Sequence, residues 1–135
     1  MADRQAIPDY LAKAIESLAG AESELANRRL NNCANRCYYA CLQAAIAALL
    51  SAGIQARSAG GQIRHEYIQG QFVGQLINRQ HRYPTAMRRT LSESMDLRHA
   101  ADYDPDPVSE IQAHRALRRS REFVEAIRLK VGGSS

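Results

Sequence analysis

Apolar residues recur at helical spacing along nearly the whole chain. From Pro8 to Arg28, Leu11, Ala14, Ile15, Leu18, Ala21 and Leu25 share one side of a helix, and Lys13, Glu16, Glu22 and Glu24 fall mostly elsewhere. Pro8 suits the first turn. Gly20 weakens the helix by about 1 kcal/mol relative to Ala, or lets another helix come close. Arg29 to Asn32 forms a short connection, with Asn31 or Asn32 capping the next helix, so the pair is an antiparallel hairpin. Asn31 to Ser51 is the longest stretch of low polarity. It lacks Gly and Pro, is rich in Ala and Leu, and is apolar nearly all round, as a central buried helix is. One stripe is polar: Arg36, Tyr39 and Gln43 lie within about 40° of Asn32. An arginine buried on this helix requires an anionic or hydrogen-bonding partner.

Gly53 ends that helix, and Ile54 to Gln62 reads as a loop. Arg64 to Asn78 is a shorter helix with Ile68, Phe72, Val73 and Leu76 inward, interrupted by Gly70 and Gly74; Arg79 to Pro84 is a basic turn. A fourth helix starts at Pro84 or Thr85 and runs to Tyr103. Its inward stripe of Met87, Leu91 and Met95 is continued by Arg98 and Asp102, all within about 40° of Leu91. Charged residues on such a stripe either pair or carry a function. Asp104-Pro-Asp-Pro stops the helix. Ser109 and Gln112 then form a capping-box signature for a last helix, to Val131, with Ala116, Phe123, Val124, Ile127 and Val131 on its core face. The expectation is an all-α, up-down bundle of about five helices in a single domain, 1–131, followed by a flexible tail, 132–135.

At 135 residues the chain is long enough for one continuous core. The net charge is +4 and the pI about 9.2, carried almost wholly by arginine, since only Lys13 and Lys130 are lysine. Arginine forks suit phosphate, which admits RNA or nucleotide partners; solvated helix faces explain the same charge more simply. Cys33, Cys37 and Cys41 form a row along the central helix. Without ligands elsewhere at metal spacing, small side chains for close packing explain them better than a metal or redox site. No run is long enough to span a membrane, and the N-terminus lacks the basic-then-apolar order of a signal peptide, so a cytoplasmic protein is expected.

Two motifs then align with a known family. NRCYYACLQAAIAALL resembles the RxYYA helix of HEPN domains, and LRHAADYD resembles their later arginine and Asp-Tyr motif. His65 and Phe72 fall where those domains carry an H…F helix. RxYYA and RxxADY together, about sixty residues apart, are more specific than either alone. The resemblance implies a helical bundle, a homodimer with motif arginines facing each other across a cleft, and for many members metal-independent RNase activity without a cofactor. Such members are often toxins encoded beside a minimal nucleotidyltransferase. Arg98 matches the motif arginine and His99 the polar residue after it. At Tyr103, where many RNase members carry histidine, the chain departs from the pattern, and a phenol is a poor base at neutral pH.

The candidate catalytic residues are therefore Arg98, His99 and Tyr103, and the candidate binding residues Arg36, Tyr39, Asp102 and His65. Arg36, Arg98 and Asp102 are expected to meet between the central and fourth helices. Adjacent Tyr38 and Tyr39, pointing about 100° apart, suggest a face that only a second copy covers. Three readings stay open: an Arg98–Asp102 structural ion pair, a non-catalytic dimeric module that docks a partner or binds a nucleotide, and an RNA-binding, toxin-like protein that is in addition an endoribonuclease.

Overall fold

The computed structural model describes residues 4–132. A short 3-10 turn, Arg4–Ala6, leads into α1 (Ile7–Ala26), followed by α2 (Leu30–Ser51), α3 (His65–Gln71), α4 (Ala86–Tyr103) and α5 (Glu110–Gly132). All five are helices, and no strand occurs among the described residues. No helix among them is long and apolar enough to cross a membrane.

The hydrophobic pattern of α2 decides the architecture. Cys33, Cys37, Tyr38, Cys41 and every residue from Ala44 to Leu50 are buried, and α2 packs against α1, α3, α4 and α5. The main core gathers Tyr38, Leu49, Ile68, Phe72, Leu76, Leu91, Phe123 and Ile127. A second cluster joins Ala21, Cys33, Cys37, Val108, Ala113 and Leu117 at the other end. Small residues along α2 and α1 permit close helix approach.

Several local expectations are met in detail. Ser109 and Gln112 form the reciprocal capping box: the Ser109 amide donates to Gln112 Oε1 at 2.9 Å and the Gln112 amide to Ser109 Oγ at 3.1 Å. Met87 and Leu91 are buried, and the stripe they define runs on into half-buried Met95 and Arg98.

Others are corrected. The α1–α2 turn lies at 27–29, with Arg28 at φ 58, and neither asparagine caps α2. Asn31 Oδ1 instead accepts from the Val108 amide at 2.9 Å, and Asn32 donates to Glu24 at 3.0 Å, so both side chains serve tertiary contacts. Ile15, expected inward, is 49% exposed. The third helix changes pitch: after Gln71 it continues as a π-helix, Phe72–Arg79. Bonding i to i+5 stacks residues that an α-helix would splay, and Phe72 and Ile77 are both buried as a result. Gly132 belongs to α5; residues 133–135 of the expected tail lie outside the described residues.

Candidate functional site

Tyr38 sits on the side of α2 that faces α3 and α4 and is 1% exposed. The His65 ring, at the first turn of α3, lies 5.4 Å from it, and the half-buried Tyr39 ring 5.3 Å from it. His65 also meets Tyr39 edge-on at 6.1 Å. Arg98 reaches in from α4, its guanidinium carbon 5.4 Å from the Tyr38 ring centre and 5.6 Å from that of Tyr39. Electron-rich ring faces attract a cation without neutralising it.

The carboxylate nearest to Arg98 is Asp102, one turn on, at 3.5 Å from Nε. That separation is an ion pair and not a good hydrogen bond, and Nε is buried without a hydrogen-bond partner. Asp102 is held from the other side by Asn35, whose amide donates to it at 3.0 Å. Arg98 and Asp102 side chains keep 21% and 28% exposure, so the pair is half-buried, with one side open to solvent.

Arg36 does not join them. It is exposed, its guanidinium 5.2 Å from the Tyr39 ring centre and its stem against Gly20 of α1. The polar stripe of α2 runs along the seam with α1: Asn32 meets Glu24, Arg36 covers Gly20, and Gln43 meets Ser17 at 2.8 Å. Arg36 thus has its charge in water and needs no buried anion. Two arginines share Tyr39, but Arg36 and Asp102 are not brought together. His99 and Tyr103 stand at the exposed end of α4 with rings 6.1 Å apart; Tyr103 is 78% exposed.

Burial pushes the Tyr38 phenol well above its ordinary value, with Arg98 pulling the other way. Burial holds the His65 imidazole below its ordinary value, helped by the positive charge of Arg98 and by His99, and opposed by Glu66. The site therefore offers a cation fixed over two rings and, beside it, an imidazole biased to its neutral form. Asn35 and Tyr38 were not among the sequence candidates. Asn31, Asn35, Tyr38 and Leu42 recur at helical spacing, and that row could have marked them as the side of α2 turned to α4.

The buried thiols are separate from this site. Cys33, Cys37 and Cys41 are free and buried. The hydrogen bond between Cys33 and Cys37 holds the first thiol low and the second high, and burial pushes Cys41 up to about 11. No group of three or more His, Cys, Asp or Glu among the described residues is placed to hold a metal.

An all-α bundle with an RxYYA helix packed against an arginine on α4 defines a class of small helical domains. Comparison with protein families matches residues 7–130 to the HEPN domain, and the chain belongs to that family. A search of curated proteins returned no match.

Proposed function

We propose that the chain binds RNA or a nucleotide, with Arg98 holding phosphate, as one half of a homodimer that works beside a minimal nucleotidyltransferase in a toxin–antitoxin or defence pair. The observation that carries this reading is the state of Arg98. Its guanidinium is positioned by Tyr38 and Tyr39, faces one carboxylate at 3.5 Å, and stays partly open to solvent. A cation whose place is fixed and whose charge is incompletely matched is suited to an incoming phosphate. Arg36, on the same Tyr39 ring, is a second cation within the patch. The pairing with a nucleotidyltransferase and the homodimer follow from family resemblance. Tyr38 no longer supports the dimer, because the chain itself buries it.

The test is binding of transfer RNA and of AMP in EDTA, beside Arg98→Ala. Binding that weakens with salt, and that Arg98→Ala reduces while the fold survives, is expected. If Arg98→Ala alters only stability, the cluster is a structural ion pair and the non-catalytic docking module is the remaining reading.

His65 favours a second reading, metal-independent RNA cleavage. A neutral imidazole next to the phosphate-holding arginine can accept the ribose 2′-hydroxyl proton, a role Tyr103 performs poorly. RNA cleavage in EDTA by the wild-type chain, abolished in Arg98→Ala, is its signature.

A further inference from the structure

We propose that the groove between α4 and α5 is a second anion-binding surface, which takes the phosphodiester backbone of a single nucleic-acid strand. The proposal rests on the reading of the chain as an RNA or nucleotide binder and adds a surface away from Arg98.

Near the start of α4 the groove has a volume of about 770 Å³ and is lined by Arg88, Arg89 and Arg119. A narrower stretch of about 170 Å³ shares Thr90 and Arg119 with it and extends to Leu97 and Arg115. The charges do not balance. Arg119 pairs with Glu93, and Arg89 turns to the same carboxylate at 3.8 Å, so two guanidiniums share one negative charge. The side chains of Arg88 and Arg115 have no salt bridge or hydrogen bond among the described residues. Glu122 is the other acid in the lining, so four arginines face two glutamates, an excess of two positive charges. In the narrow stretch Ser120 is 1% exposed, its hydroxyl is turned to the Cys37 and Cys41 thiols, and the arginines alone carry the groove's positive charge there.

The lining also selects the class of ligand. The Thr85 and Thr90 hydroxyls interleave with the arginines, whereas Ser92 and Ser94 donate to carbonyls of their own helix, and Leu97 is the one large apolar residue, with no aromatic side chain. A protein partner needs apolar or aromatic anchors for an interface core, and this groove has almost none. Guanidinium forks on two rigid helices, with threonine hydroxyls beside them, match phosphate oxygens.

The experiment uses the full chain, with oligouridine and oligodeoxythymidine of about 20 nucleotides followed by fluorescence anisotropy across a salt series, and AMP by calorimetry. The double variant Arg88→Gln/Arg115→Gln alters exposed, unpaired side chains, and circular dichroism checks its fold. Its affinity for both oligomers is expected to fall about tenfold, and its salt slope by about 1.4, from two lost phosphate contacts at roughly 0.7 each. AMP binding stays as in wild type. Unchanged oligomer affinity and slope in the double variant overturn the groove, as does a wild-type chain that binds neither oligomer. Loss of AMP binding in Arg98→Ala reports on the other site alone. If Arg98→Ala changes nothing while the double variant weakens the oligomers, the Arg98 reading fails and the groove stands.

Discussion

The guanidinium carbon of Arg98 lies 5.4 Å from the ring centre of Tyr38, the largest fully buried side chain of α2. A core residue and a site residue are therefore in one contact, and α4 is locked to α2 where the site forms. Tyr38 supplies packing volume and a platform for charge together.

The two roles separate by substitution. Tyr38→Ala removes a fully buried ring and is expected to cost about 3–5 kcal/mol, as large aromatic truncations do. Tyr38→Phe keeps the ring and should cost far less. Urea denaturation gives both values. A Tyr38→Ala cost below that of Tyr38→Phe would refute the core role.

The Arg98–Asp102 pair is half-buried, with side-chain exposures of 21% and 28%, so its energy falls between the surface and interior limits. Asp102→Ala loses an ion pair at 3.5 Å and the Asn35 hydrogen bond at 3.0 Å. A loss of about 1 kcal/mol is expected, near the upper end for exposed pairs. Thermal melts against wild type measure it, and a loss of several kcal/mol would show a site closed to water.

Most of the fold is readable from the sequence because few alternatives compete with it. The apolar circumference of α2, the Ser109–Gln112 box and the Asp104-Pro-Asp-Pro stop each specify one local structure, and all three occur. The inward run of the α4 stripe into Arg98 was equally legible. The failures have a common cause. Helical angle ranks positions around an axis but does not say which neighbour stands at each angle. The burial of α2 points Arg36 to the interior, yet its stripe follows the edge of α1, where Gly20 leaves room for the stem and the charge reaches water. The π-helix after Gln71 was hidden for a related reason: it is selected by the tertiary demand to bury Phe72 and Ile77 together, which no local propensity records.

Stability should respond to pH through His65. Its folded value is held below the ordinary 6.5, by burial first and then by Arg98 and His99, with Glu66 opposing. The folded chain then binds fewer protons than the unfolded chain between the lowered value and 6.5. This contribution is complete above that interval and is lost as pH falls through it. Urea midpoints should therefore drop as pH falls from about 7.5 to about 5.5, and His65→Gln should flatten that slope. An unchanged slope in His65→Gln would remove His65 as its source.

The thiols should be inert in the folded chain. Cys33, Cys37 and Cys41 are each 0% exposed, and both Cys37 and Cys41 are held toward the protonated form. Thiolate and access are both required for reaction. Ellman's reagent should label none of them quickly in native buffer and all three in denaturant. Rapid native labelling of a single thiol would mean that α2 opens locally.

If the chain cleaves RNA, the order of the proton-carrying variants follows from where each group is held. His65 is fixed by contacts with both Tyr38 and Tyr39, lies within electrostatic reach of Arg98, and is biased to the neutral form that accepts a proton. His99 adjoins Arg98 in sequence but stands exposed, with the Tyr103 ring 6.1 Å away. It can donate to a leaving oxygen from the solvent side. Tyr103 is 78% exposed, with that one ring contact among the described residues. An ordinary phenol is a poor general acid or base near neutral pH. His65→Gln and His99→Gln should therefore each lower single-turnover cleavage by about 10²-fold or more, the lower range for general acid–base catalysis. Tyr103→Phe should leave the rate within about threefold of wild type, since only the weak proton donor is removed. EDTA should change none of these rates. A loss in Tyr103→Phe as large as that in His65→Gln would place the proton transfer at the α4 terminus and leave His65 as a packing residue.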